Sequence, residues 1–434
     1  MTDLRAVTAQ VWAALGGDPA ELDRLQIIGP AETLPSRHAV TTAGAAAVGA
    51  SLLAATSRPV QLDTRALAVA LTSERYLRIG GRSPGSAFAP LSAFHRTADG
   101  WIRLHGNYPW HREAALGVLG VAAEDEAAAA IAGWNAVELE AALHAAGGVG
   151  AAVRTTAQWR AEAGDPPPLV ESSDLAPAPP RPARRPRVLD LTRVIAGPVG
   201  TRTLAVHGAD VLRLDPPQHP EPLPLTWEAL PGKRSAFLDL HSSGAVLEEL
   251  LAGADVVVTG YRPGALDRFG LSPEALAQRH PGLVVVTLSA WGHRGPWGGR
   301  RGFDSLVQAA CGIAVDEGGP DAPGALPCQL LDHATGYLVA AAALLGLRRQ
   351  RSVGGTPHTR LALVATAGWL QGLPRSVEPA AVDRIDPSSL VVDVPAPDGV
   401  LTLARPPGTV DGRPLTWPDP APAYGAAVAS WTAR

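Results

Sequence analysis

The chain has 434 residues, 46% hydrophobic and 18% charged, with 37 basic against 41 acidic side chains and a formal net charge of −4. That length predicts two or three domains at roughly 150 residues each, and the charge balance excludes a protein that grips a nucleic-acid backbone by bulk charge. Cys311 and Cys328 are too few cysteines for a disulfide scaffold, which points to a reducing cytoplasm.

The opening MTDLRAVTAQVW lacks the basic and apolar regions of a secretory leader, so a cytoplasmic protein is expected. Helical patterns run over Leu4–Leu15 and Ala39–Ala55. The second is rich in Ala, Gly, Thr and Ser, too weakly apolar for a bilayer span of about 20 residues, and reads as a buried helix; no membrane is expected as partner. The alternating segment Val60–Asp63, an apolar helix over Thr64–Leu77 and a glycine-rich turn at Gly80–Gly85 come next. Asp99-Gly100 inside Phe94–Leu104 predicts a hairpin. Helices then dominate to Trp159.

The sharpest change in composition is at 164–187 (GDPPPLVESSDLAPAPPRPARRPR), where prolines deny helix and sheet and predict a linker. It separates a helical and small α+β region, 1–163, from a second region, 188–370, and a proline-rich tail, 371–434, expected to wrap a surface. In the second region Val188–Leu191, Ala209–Leu214, Ser235–Leu240, Ala254–Thr259 and Leu283–Ser289 are apolar β runs separated by helical spacers, with a turn at Ala196–Pro198 before a helix over Val199–Val206. Such βα alternation predicts an α/β fold with a doubly wound, mostly parallel sheet, whose ligand lies beyond the carboxyl ends of the strands, among loops 192–198, 260–268 and 289–296. There is an internal echo: Thr41–Ala55 followed by Asp63–Leu67 is similar to Thr335–Leu347 followed by His358–Leu361.

The loop after the first of these strands lacks G-x-G-x-x-G, and neither a Walker G-x-x-x-x-G-K-[ST] nor a G-x-S-x-G elbow occurs, which argues against nicotinamide, nucleoside-triphosphate and serine-hydrolase chemistry. The histidines and cysteines show no metal-ligand spacing, so His293 and His333 read as loop and helix-start residues and no metal is expected.

A series of motifs remains. Val188–Pro198 (VLDLTRVIAGP) is followed by His207–Pro217 (HGADVLRLDPP), Gly232–Leu240 (GKRSAFLDL), Ala254–Gly264 (ADVVVTGYRPG), Ala265–Leu271 (ALDRFGL), Trp291–Pro296 (WGHRGP), Gly302–Ala309 (GFDSLVQA) and Leu331–Gly336 (LDHATG). In order and spacing this resembles the family III CoA-transferases, the CaiB–BaiF family, over about 187–370. Arg96–Ile102 (RTADGWI), Gly148–Val153 (GVGAAV) and Pro420–Gly425 (PAPAYG) are similar to that family's small-domain hairpin, a later turn and its C-terminal tail. The small-domain region thus stands before the CoA-binding region, the reverse of the family's order.

The resemblance implies a Rossmann-like CoA-binding domain and a smaller α+β domain. It also implies an enzyme that moves CoA between an acyl-CoA and a carboxylic acid, with coenzyme A entering as substrate. Asp332 matches the family's nucleophile, a carboxylate that attacks the thioester and passes through a mixed anhydride to an aspartyl-CoA. Read without the family, a carboxylate there is a helix N-cap. Val194, Ile195 and Ala196 match the turn whose amides approach CoA, and Lys233 and Arg234 a basic pair for its phosphates. Tyr261, Arg262 and Arg268 match the loop beside adenine and diphosphate, and Trp291 a position beside the pantetheine arm; for each arginine a solvated surface charge is the alternative, and for the tryptophan a core position. Family racemases need a histidine and an aspartate and carry G-H-D where Gly302-Phe303-Asp304 stands; phenylalanine transfers no proton, so racemisation by that pair is excluded. The Gly80-Gly81 turn matches a mobile lid or is a plain surface turn. The family's dimers interlock as rings; a homodimer is expected here too, without interlocking, because the small-domain region precedes the linker. Two other readings stay open: a CoA-ester isomerase or lyase with Asp332 as base, and a catalytically silent CoA-binding protein.

Overall fold

The computed structural model describes residues 3–418 and 420–432. Its centre is a seven-stranded sheet in the order Lys233–Phe237, Asp210–Asp215, Arg187–Leu191, Val256–Thr259, Val284–Ser289, Pro357–Ala362, Glu171–Asp174. The first six are mutually parallel and the last is antiparallel. The central strands, Val256–Thr259 and Val284–Ser289 above all, read as continuous apolar runs because both faces are covered. The side-chain period of two divides them cleanly. Val188, Val211, Val256, Val258, Val284 and Val286 enter one core, with the helices Ala196–Val206 and Leu330–Val353. Leu189, Leu191, Leu212, Leu214, Val257 and Val285 enter another, with Leu247, Leu250, Leu251 and Leu276 of the helices Gly244–Gly253 and Pro273–Arg279. Each such buried aliphatic side chain contributes about 1.5–3 kcal/mol.

Chain order reverses across Arg187–Leu191, whose two neighbours are Asp210–Asp215 and Val256–Thr259. A crevice opens at the carboxyl end of such a switch point. Two helices frame it. Ala196–Val206 crosses Leu330–Val353 where Gly200 meets Gly336: a Cβ on Gly200 would lie 2.7 Å from the Gly336 carbonyl oxygen, and one on Gly336 would lie 2.5 Å from that of Ala196. Only glycine permits this approach, which brings the N-terminal turn of the long helix against the loop at 194–196.

The first 163 residues dock on this unit. The helix Val40–Ala55 is buried along nearly all its length and packs on Leu330–Val353. The buried helix expected there is thus covered by the second half of the chain. The internal echo is structural: Val40–Ala55 leads into Val60–Asp63 and Thr64–Leu71, as Leu330–Val353 leads into Pro357–Ala362 and Leu363–Gly372. Each strand follows its helix into a parallel pair, with Leu25–Ile28 and Val284–Ser289 respectively. The Asp-Gly hairpin forms from Phe94–Arg96 and Trp101–Leu104, and Gly150–Ala152 adds a third strand. Leu330–Val353 is long and apolar enough to cross a membrane, and most of its apolar stretch is buried in the fold.

Several expectations need correction. The proline-rich segment carries a strand, Glu171–Asp174, along Pro357–Arg360. The stretch Leu169–Leu175 is free of proline, and an edge position asks for bonds on one side only. Arg184 then holds Asp255 at 2.5 Å, which ties the segment across the sheet. The turn at Ala196–Pro198 is the first turn of a helix, where proline's missing N–H has no partner to lose. The helix from Thr64 ends at Leu71, and a 3₁₀ turn, Ser73–Arg75, follows. The strand placed at Ser235–Leu240 runs over Lys233–Phe237. In the tail, Val391–Ala396 and Gly399–Ala404 form a hairpin that pairs with Arg78–Ile79, burying Leu77, Val394, Leu401, Leu403 and Trp417 together.

Candidate active site

Asp332 lies in the first turn of Leu330–Val353, and no side chain of the preceding residue, Gln329, caps that helix. The cap comes from Asp304, in the first turn of Asp304–Cys311: its Oδ2 accepts the Asp332 N–H at 2.8 Å, and it also accepts the Leu331 N–H. Gln308 donates its amide to the other oxygen of Asp304 and accepts the Leu326 N–H at 2.9 Å. Two buried carboxyls therefore share one helix terminus. Burial pushes the Asp332 carboxyl well above the usual carboxylate range and the neighbouring Asp304 raises it further. Burial also pushes Asp304 up to about 6, against the pull of its hydrogen bonds.

Asp332 stands where two cavities meet. One is a cleft of about 970 Å³ and the other a pocket of about 90 Å³. The cleft runs over the carboxyl ends of the parallel strands, past Leu191, Asp215, Gly260 and Ser289, and the first 163 residues contribute Tyr108, Trp110 and His111 to its wall. Arg262, Arg268 and Arg301 are exposed along it, and none has a carboxylate partner among the described residues. Arg301 holds its proton less firmly than usual, through burial and the nearby charge of Arg262. Unpaired guanidinium groups in a cleft fit the phosphates of an anionic ligand.

The turn at 193–196 is held in a strained shape. Val194 has φ +67°, a left-handed conformation that is rare for a β-branched residue. Its N–H donates to Glu221 Oε2 at 2.9 Å. Glu221 also accepts from Arg213 at 2.9 Å, from Arg193 at 3.2 Å and from the Tyr108 hydroxyl. Arg193 lies over the Tyr108 ring, 5.1 Å from its centroid. These contacts tie the first 163 residues to the turn at 193–196, and the arginines hold Glu221 below the usual carboxylate range despite its burial.

The structure brings Asp332, Val194, Ala196, Tyr261, Arg262 and Arg268 to the cleft, and Val194 and Ile195 to the small pocket. Three sequence assignments fall elsewhere. Lys233 and Arg234 start their strand, at the end of the sheet opposite the cleft. Lys233 is buried, with Nζ 3.0 Å from Asp190 and 2.6 Å from the Thr201 hydroxyl; burial brings it down to about 8. Arg234 pairs with Asp210 at 2.9 Å and donates to the Ser430 carbonyl at 2.6 Å. Neither lines the cleft, because both stand at the amino end of a parallel strand and the cleft lies over the carboxyl ends. Trp291 packs with Trp159 and Trp297 and donates to the Arg301 carbonyl at 3.0 Å, a core position that lines neither cavity. Gly80 and Gly81 turn a tight loop at the sheet edge, with φ +54° and +77°, also away from both cavities.

Sequence reasoning met Asp304 only in the excluded racemase motif and passed over Arg193, Glu221, Arg301 and His105. Arg193 sat inside a quoted motif and could have been singled out there. His105 carries no such signal: it arrives from the small-domain region and stacks on Phe303, ring centroids 3.6 Å apart and planes within 7°.

Comparisons with known proteins agree with the motif series. Residues 186–376 match the model of CoA-transferase family III. The probable fatty acyl-CoA transferase Rv3272 of Mycobacterium tuberculosis is 33% identical over 219 residues, covering 46% of this chain and 56% of that protein. A succinyl-CoA–D-citramalate CoA-transferase of Chloroflexus aurantiacus is 34% identical over 193 residues, covering 41% and 48%. The crystal structure of Rv3272 in its orthorhombic form aligns with a TM-score of 0.41 at 33% identity, over 45% of this chain and 57% of that one. The chain spans about half the length of these relatives. The likeness is therefore to CoA-transferase family III, and it lies in residues 186–376.

Proposed function

We propose that the protein moves CoA from an acyl-CoA thioester to a free carboxylic acid, with Asp332 as the covalent nucleophile. The observation that carries this reading is the buried Asp332 carboxyl at the junction of the cleft of about 970 Å³ and the pocket of about 90 Å³. CoA lies along the cleft, with its phosphates near Arg262, Arg268 and Arg301, on a doubly wound, Rossmann-like unit. The acyl group points into the pocket.

The ionised Asp332 oxygen attacks the thioester carbonyl carbon; the tetrahedral adduct expels CoA thiolate and leaves an aspartyl–acyl anhydride. The thiolate then attacks the Asp332 carbonyl, releasing the first acid and forming an aspartyl-CoA thioester. The acceptor carboxylate attacks that thioester, expelling the thiolate again. Attack of the thiolate on the acceptor's acyl carbon makes the new acyl-CoA and frees Asp332. Burial favours the first step, since a carboxylate with raised proton affinity is a stronger nucleophile once ionised, and it keeps water from the anhydride.

A second reading is CoA-ester isomerisation. It is favoured by His105, which stacks on Phe303 and lines the same pocket as Asp332, uncharged because burial brings it down to about 3. Incubation with acyl-CoA and hydroxylamine, followed by peptide mass spectrometry, separates the two. A hydroxamate at Asp332 supports transfer; solvent deuterium at the α-carbon without hydroxamate supports isomerisation.

A further inference from the structure

Three residues that line the small pocket each carry a polar atom that the fold leaves without a partner. His105 Nδ1, Ser305 Oγ and His333 Nδ1 are all buried and, among the described residues, accept or donate no hydrogen bond. Their residues are 6%, 6% and 2% exposed, and all three line the pocket with Asp332. Buried polar atoms of a native protein have partners, so three orphans on residues that line one small space point to a ligand with polar atoms of its own. They come from three separate segments, one of them in the first 163 residues. Stacking on Phe303 fixes the plane of the His105 ring.

Volume and charge narrow the ligand. An apolar cavity of about 150 Å³ takes benzene, so a pocket of about 90 Å³ takes a smaller group, of about three to five carbons. Arg202 also lines it, but its charge is already taken by Glu228 at 3.3 Å. Glu74 stands beside that pair, so a second free carboxylate on the acyl group meets two acidic neighbours and no spare cation. A plain alkyl chain leaves the three orphans unpaired. A hydroxyl both donates and accepts, and it can serve a serine and a neutral imidazole in either tautomer.

We infer that the pocket recognises a short, uncharged acyl group bearing a hydroxyl, bound by His105, Ser305 and His333. This rests on the reading that the acyl end of an acyl-CoA enters here, and it adds the substrate class to that reading.

The test is calorimetric titration of the full-length Asp332→Asn protein, which cannot turn substrate over, with CoA, butyryl-CoA, 3-hydroxybutyryl-CoA, succinyl-CoA and octanoyl-CoA. Sites built to bond a hydroxyl discriminate strongly against the analogue without it. We expect 3-hydroxybutyryl-CoA to bind at least about tenfold more tightly than butyryl-CoA, with the succinyl and octanoyl esters weaker than both. Adding Ser305→Ala, or His105→Phe, which keeps a ring on Phe303, should cut the hydroxybutyryl-to-butyryl ratio to about threefold or less. Equal binding of the two four-carbon esters, tighter binding of the octanoyl or succinyl ester, or a ratio that survives both substitutions overturns the inference. Failure of CoA and every ester to bind overturns the cleft reading beneath it, and the inference with it, by a different signal.

Discussion

The backbone N–H of Asp332 donates to Asp304 Oδ2 at 2.8 Å, so the acid that caps the long helix sits beside the acid in its first turn. The like charge of Asp304 raises the proton affinity of Asp332, on top of burial. A nucleophilic Asp332 must be ionised, so kcat/KM should rise with pH through a midpoint above the ordinary aspartate value of about 3.9. Asp304→Asn removes the like charge while its amide oxygen still accepts the N–H, and the midpoint should move down. A pH profile of both proteins checks this; a midpoint that stays or moves up breaks the link between the two carboxyls.

Asp332→Ala should abolish transfer and leave CoA affinity nearly unchanged, since the carboxyl acts on the thioester and not on the nucleotide. Steady-state transfer and CoA titration read the two effects separately. Transfer above about a tenth of the parent rate would remove Asp332 from the nucleophile's role.

Lys233→Met should act on stability and not on CoA. It strips the partner from Asp190, a fully buried carboxylate 3.0 Å from Nζ. Breaking such a pair from one side costs about 3–5 kcal/mol. Urea unfolding should show that loss, and the folded protein should bind CoA as before. A tenfold loss of CoA affinity with unchanged stability would restore Lys233 to the phosphate site.

The contrast between Lys233 and Arg262 shows what the sequence could say. Alternation of apolar runs was enough for a parallel sheet, because both of its faces are buried and its central strands read as Val and Leu. It also placed the loop at 260–268 at the mouth of the cleft. Lys233 leads into its strand and so stands at the amino end, whereas the ligand of a parallel sheet lies beyond the carboxyl ends, where Arg262 follows Val256–Thr259. Trp291 failed for another reason, since an indole suits a core and a ligand wall equally, and only packing against Trp159 and Trp297 decides. His105 was out of reach because it meets Phe303 across nearly 200 residues of chain.

Arg262→Ala combined with Arg301→Ala should weaken CoA binding. Charge-assisted bonds contribute about 1.5–3 kcal/mol each, and solvent exposure favours the low end, so a loss of about 2–3 kcal/mol is expected for the pair. The loss should shrink as salt rises. Titration with dephospho-CoA tells which phosphate is held. Unchanged affinity for both ligands at low salt would move the phosphate site away from these loops.

Glu221 holds the strained turn, and a double-mutant cycle can show it. Its carboxylate meets Arg213, Arg193, Tyr108 and the Val194 N–H. Glu221→Gln leaves Arg213 paired with Asp215 at 2.7 Å and takes from Arg193 its carboxylate, so a loss of about 3–5 kcal/mol is expected. It also loosens the grip on Val194, whose φ of +67° disfavours a β-branched residue by about 1–3 kcal/mol. Val194→Gly removes that steric cost but loses side-chain packing and adds unfolded-state entropy, so alone it should be neutral or mildly destabilising. In the Glu221→Gln background the turn has fewer bonds to hold a valine there, and the same change should be more favourable by about 1 kcal/mol. Urea unfolding of the four proteins gives the coupling. Additivity within about 0.5 kcal/mol would mean that Glu221 binds the arginines without supporting the turn.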